Sequence, residues 1–294
     1  MFMIRALFAA TLASLLVPAM ASAGDGGPQL RLCTGSKGGA YHQVGLRIAA
    51  RMTGKAEVNV ISTQGSWENL EAIDATPRRC DAIIAQDDAH ALYQFEKAKL
   101  ELTMDRMATL YPEYVHLLCN RAVQAEHTAG LHPQRVRVLV NQYGSGTYIT
   151  WRLIGRLDPT FARLPASEVS LQEGLLKVVD GVSAQCMVIV SAPGKGAAKL
   201  ADESFGQALK LVALDGPKLH QKVGRARRQI YQTATISEHT YPNLIKGTLK
   251  TQTVDAVFFA SPEWKARHPK AAAALAEVLL ELVPTLRAQA VPAQ

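Results

Sequence analysis

Five times along this chain a short apolar run gives way to a loop of small residues and then to helical spacing. "LRLC" leads into "TGSKGG" and a segment with Val44, Ile48 and Met52 at i, i+4 and i+8. "VNVIS" leads into "TQG", then Ser66 as a helix N-cap, with Trp67, Leu70 and Ile73 on one core-facing side. "CDAIIAQ" leads into Asp87 and Asp88, capping chemistry for a helix through Leu92 and Phe95. "VRVLV" precedes "NQYGSGT" and a helix carrying Ile149, Leu153 and Leu157, and "SAQCMVIV" precedes "SAPGKGA". Near-continuous apolar strands alternating with helices call for parallel or mixed sheets flanked by helices on both faces. The fold class is α/β.

In open α/β sheets the ligand crevice lies beyond the carboxyl ends of the strands. Glycine lets backbone approach a ligand, and a helix N-terminus offers free N–H groups with positive partial charge. The loops "GSKGG" and "GSGT" both have this form, and together they suit an anion, most simply a carboxylate. The plainer role for either loop alone is a tight turn.

The first residues, "MFMIRALFAATLASLLVPAMASAG", carry Arg5, an apolar stretch and Ala21-Ser22-Ala23, the pattern of a signal peptide (1–23) cleaved after Ala23. The rest of the chain has no comparable apolar run, so an exported, soluble, periplasmic protein is expected. The net charge of +7 is spread along 294 residues. Its densest cluster, Lys222, Arg225, Arg227 and Arg228, has Tyr231 as its nearby aromatic and reads as a solvated helix face, not a nucleic-acid surface. Cys33, Cys80, Cys119 and Cys186 lack metal-site spacing, so no metal is expected. Three of them lie in apolar runs where a buried free thiol serves as a small hydrophobe, although an oxidising compartment also permits disulfides. Tyr143 breaks the G-x-S-x-G elbow, Ile189 stands at the leading glycine of a P-loop, and "TGSKGG" lacks G-x-G. No catalytic constellation and no cofactor motif is visible, although a hydrolase or transferase using Ser145 or a histidine remains an alternative.

The segments "GSKGGAYHQVG", "VISTQGSWENL", "LYPEYVHLL", "GSGT" and "HTYPNL" occur in this order. In order and spacing they resemble the TAXI family, the extracytoplasmic solute receptors of one class of TRAP transporters. The resemblance runs from about Leu30 to the C-terminal helix. It implies a two-lobed periplasmic-binding-protein-like fold of type II, a non-enzymatic role, and a small organic acid or amino acid as ligand. Glutamate, glutamine and 2-oxoglutarate are the acids associated with the family. The implied partners are TRAP permease subunits, with the receptor itself a monomer. A receptor-like domain acting in signalling is the variant of this reading.

Carried over position by position, the resemblance places Ser36, Lys37 and Tyr41 in the first cleft loop. Thr63, Gln64 and Ser66 fall in the second, Gln86 ends the third strand, and Ser145, Gly146 and Thr147 form the opposing loop. Gln64 stands where a small glycine is usual, and Lys37 adds a charge where the loop is often neutral. Lys37 either faces the cleft or points to solvent, and the Tyr41 hydroxyl either meets ligand or sits in water. Glu113 and His116 are read as shaping a strand near the hinge, outside the site. The implied division is residues 24–120 plus 241–294 as lobe 1 and 121–240 as lobe 2, with the ligand cleft between them.

Overall fold

A long mixed sheet organises the chain, with helices on both faces. The computed structural model describes residues 27–97, 104–224 and 227–291, so the signal-peptide segment lies outside the described residues. The first part runs β1 (Gln29–Cys33), α1 (Ala40–Met52), β2 (Glu57–Ile61), α2 (Ser66–Asp74), β3 (Ala82–Gln86) and α3 (Asp87–Lys97). The long strand β4 (Asp105–Asn120) leads to β5 (Val138–Val140), α4 (Gly146–Leu157), α5 (Pro159–Ala162), β6 (Ala166–Glu168) and α6 (Leu171–Asp180). Then come β7 (Cys186–Ser191), α7 (Gly196–Phe205), β8 (Leu209–Val212), β9 (Lys222–Val223), β10 (Arg228–Gln229) and β11 (Gln232–Ser237). A second long strand, β12 (Thr248–Ala260), precedes α8 (Pro262–Arg267) and α9 (Pro269–Ala290). None of the described helices is long and apolar enough to cross a membrane.

The main strand order is β2-β1-β3-β12-β4-β7-β5-β6, with β11 on β12 and β8 on β4. β1 runs parallel to β2 and β3, and β5 parallel to β6 and β7; β12 and β4 run antiparallel to their neighbours. The two long strands tie the sheet together. The first half of β4 pairs with β12, and its second half pairs with β7 and β8.

Period-two alternation divides the core. Leu30, Leu32, Ala82, Ile84, Ala256 and Phe258 pack under α1 and α9, against Ile48, Met52, Leu275 and Leu279. The alternate residues Cys33, Ile83, Ala85, Val257 and Phe259 pack with α2 and α3, against Leu70, Ile73 and Leu92. At the far end Val138, Val140 and Val188 meet α4, whereas Leu139, Met187 and Ile189 meet α6 and α7. Ile149 of α4, fully buried, lies in the cluster of Trp67, Leu92 and Tyr93, so an apolar seam joins α3 to α4. Full burial of such a side chain contributes about 1.5–3 kcal/mol.

Four local expectations change. Ser66 is the first helical residue, because Gly65 takes the cap position with φ 124°, a conformation that favours glycine. Phe95 is 48% exposed, its ring lying under the Arg156 guanidinium at 5.9 Å. Of the basic cluster read as a helix face, Lys222 and Arg228 lie on the small antiparallel ribbon β9–β10, and Arg225 lies outside the described residues. The cysteines are paired rather than free, Cys33 with Cys80 and Cys119 with Cys186. The second pair sits directly opposite in the β4–β7 register, a relation the linear sequence hides because the two strands are 67 residues apart.

Candidate functional site

The carboxyl ends of β1, β2, β3 and β5 bring four loops to one place. Gly65 and Gly144 approach each other, with the Gly144 carbonyl 3.9 Å from an ideal Cβ position at Gly65. Gly144 lies on Trp67, whose ring also meets Tyr143 edge-on at 6.3 Å. Gly146, first residue of α4, lies so close to Gln86 that an added Cβ would stand 2.1 Å from its Oε1. The end of β3 and the start of α4 thus meet, through Gln86 and Gly146.

The candidate residues fall into three groups. Ser36, Lys37 and Gln64 are exposed on the rim. Thr63, Ser66, Ser145 and Thr147 spend their hydroxyls on the loops themselves. Thr63 donates to Asn69 Oδ1 at 2.6 Å, Ser66 accepts from Gln86 N at 3.0 Å, Ser145 caps Tyr148 N at 3.3 Å and Thr147 accepts from Val190 N at 3.3 Å. Tyr41 and Gln86 form the third group, directed inward. The Tyr41 hydroxyl is not in water; it donates to Glu113 Oε2 at 2.8 Å. Gln86 is 2% exposed, and neither its amide nitrogen nor its amide oxygen has a hydrogen-bond partner. Such an orphaned buried amide is costly, and a bound polar group is one way to satisfy it.

Helix starts add donors. α1 begins behind "TGSKGG" with no side-chain cap on its first turn, and Gly38 at φ 83° makes the corner. α4 is capped by Ser145 at Tyr148 N, which leaves the N–H groups of Gly146 and Thr147 ahead of that bond.

Glu113, read from the sequence as shaping a strand outside the site, is the partner of the candidate residue Tyr41. It is 8% exposed, and burial pushes its carboxyl up to about 8; the Asp88 charge adds to this while the Tyr41 hydroxyl opposes it. Asp88, fully buried at the start of α3, is raised to about 7 by burial. Its Oδ2 accepts from Thr150 at 2.5 Å and from Tyr231 at 3.0 Å. The Tyr111 hydroxyl is buried without a partner, and burial holds it well above the usual phenol range. The nearby guanidinium groups are engaged elsewhere: Arg106 and Arg228 both bind Asp87, at 2.7 and 2.6 Å.

Two further residues from the recurring segments act on the loop of "SAPGKGA". His116, buried and pushed down to about 4 by that burial, faces Ile189 O and the Tyr241 hydroxyl, the latter at 3.0 Å. Tyr241 in turn accepts from Gly194 N at 2.8 Å. Asn69 does similar work at the other end, binding the carbonyls of Thr34 and Ile84 and so fixing β1 against β3. Both sets sit in segments already quoted, "LYPEYVHLL", "HTYPNL" and "GSWENL", but their long-range pairing is invisible in sequence. Among the described residues, no group of three or more His, Cys, Asp or Glu side chains is arranged to hold a metal ion.

Comparison with known proteins gives the fold a context. Residues 32–284 match the NMT1-like family. Among solved structures, one described as a periplasmic transporter shares 11% identity at a TM-score of 0.51, covering 88% of this chain and 82% of its own. The alkanesulfonate-binding protein SsuA from Xanthomonas axonopodis pv. citri, bound to MOPS, shares 12% identity at 0.50, covering 87% and 73%. The periplasmic domain of BvgS from B. pertussis shares 11% at 0.50; 90% of this chain aligns, but only 43% of that one. At these identities the likeness shows a shared fold and leaves the ligand open. The family match, in contrast, spans well over half of the sequence, and the chain belongs to the NMT1-like family, on a fold of the periplasmic solute-binding type.

Proposed function

We propose that the protein is an exported solute receptor of the TAXI kind, which binds a small carboxylate such as glutamate or 2-oxoglutarate and delivers it to a TRAP-type permease. The observation that carries this reading is Gln86, buried and unpartnered, wedged against the first residue of α4 where distant loops meet. In this reading residues 24–120 with 241–294 form one lobe and 121–240 the other, with β4 and β12 crossing between them. The uncapped start of α1 and the first N–H groups of α4 then seat the carboxylate, with Ser36, Lys37 and Gln64 at the rim. Both disulfides fit an address outside the cytoplasm, where such bonds persist. No catalytic step enters the reading.

Thermal denaturation against a panel of small acids tests it. A ligand at a hundred times its dissociation constant stabilises the folded state by about 2.7 kcal/mol. For a chain of this size that raises Tm by roughly 5 °C or more. No shift with any acid, together with turnover of an ester or amide, contradicts the receptor reading.

A further inference from the structure

The floor of the site is built from carboxyl, amide and phenol groups, and its geometry says what they face. Register places Gln86, Ala256 and Tyr111 in one row across β3, β12 and β4. Their side chains therefore leave the same face of the sheet, as does Glu113, two residues on from Tyr111. Strands lie about 4.8 Å apart, so Gln86 and Tyr111 stand roughly 10 Å apart with only the Ala256 methyl between them. The β12–β4 register slips immediately beyond this row, between Ala256 and Val257, the kind of irregularity that re-aims side chains beside a site.

Around this row hydrogen-bonding capacity is unfilled. Both amide atoms of Gln86, the Tyr111 hydroxyl and Asp88 Oδ1 lack partners. Glu113 is held by Tyr41 through Oε2. An anion here would meet two carboxyl groups, with both nearby arginines engaged by Asp87. A charged nitrogen would find acceptors in Gln86 Oε1, the Tyr111 hydroxyl oxygen, Asp88 Oδ1 and the ionised carboxylate of Glu113.

Resting on the receptor reading above, we propose that Glu113, oriented by Tyr41 and flanked by Gln86 and Tyr111, receives a protonated amine of the ligand. The carboxylate then lies at the helix starts and the ammonium at the sheet, so the cleft selects amino acids over the same acids without nitrogen.

Calorimetric titration of the mature protein with matched pairs tests this: glutamate against 2-oxoglutarate and glutarate, and aspartate against succinate. The expected result is at least about tenfold tighter binding of an amino acid than of its nitrogen-free counterpart, with the preference lost in Glu113→Gln. Equal or tighter binding of the nitrogen-free member in each pair that binds overturns the inference and leaves the carboxylate reading standing. No binding by any of the five overturns both. Should Glu113→Gln fail to fold, the pH dependence of the wild type decides. The titratable groups facing Glu113 are Tyr41 from α1, Asp88 from α3 and Tyr111 from β4. A cation seated there displaces protons from Glu113 and Asp88, so amino-acid affinity rises severalfold from pH 6 to 8.5. A flat profile contradicts the proposal.

Discussion

Replacing Glu113 by glutamine isolates the energetic weight of one buried acid. The substitution preserves shape and leaves an oxygen to accept from Tyr41, but it carries no charge at any pH. In the unfolded chain the Glu113 carboxyl titrates near 4.5, whereas in the fold it holds its proton up to about 8. The folded state therefore binds the extra proton between those values. Its contribution to stability is complete below about pH 4.5 and is lost as pH rises through 8. At about 1.36 kcal/mol per pH unit, the full loss is on the order of 4–5 kcal/mol. For a protein of this size, roughly 2 °C per kcal/mol converts that to a Tm difference approaching 10 °C. Circular-dichroism melts of ligand-free wild type and Glu113→Gln at pH 5, 6, 7 and 8.5 measure it. The wild type should lose Tm relative to the variant at each step upward, Asp88 being common to both proteins. Parallel Tm profiles would show that Glu113 is hydrated in the fold, and would refute the electrostatic description of the site's floor.

Other consequences follow from the same geometry. Gly146→Ala places a methyl carbon against Gln86 Oε1 and forces that buried side chain aside, so it should cost about 1–3 kcal/mol by chemical denaturation and weaken ligand binding in calorimetry. Removing the Cys119–Cys186 bond by paired alanine substitution opens a 67-residue cross-link and should lower stability by about 4 kcal/mol, read as a lower denaturant midpoint. Lys37→Met deletes an exposed rim charge; dicarboxylate affinity should fall about tenfold while monocarboxylate affinity changes little, and equal losses of zero would assign that lysine to solvent.

The alternation of strands and helices was legible because burial on two sheet faces imposes it residue by residue. Val44, Ile48 and Met52, and Ile149, Leu153 and Leu157, are buried as their spacing requires, although Leu157 sits near the edge of its cluster. Long-range pairings were not legible. Nothing local to "CDAIIAQ" or "SAQCMVIV" says that Cys80 reaches Cys33 or that Cys186 lies opposite Cys119. The loops of the candidate site could be named from glycine, serine and helix starts. The burial of Glu113 could not, because a carboxylate in a strand gives no local sign of it, and its partner Tyr41 is 72 residues away. Asp88 read as a capping residue for the same reason, while its side chain in fact crosses to Thr150 and Tyr231.

The most direct test of the central claim, that distant loops form one ligand site, is amide hydrogen exchange with and without the acid that gives the largest thermal shift. Loading should slow exchange together in residues 36–42, 63–67, 86–88 and 144–148, the segments that converge around Gln86 and Gly146. Protection confined to one of these segments, or located elsewhere at saturating ligand, would contradict the account.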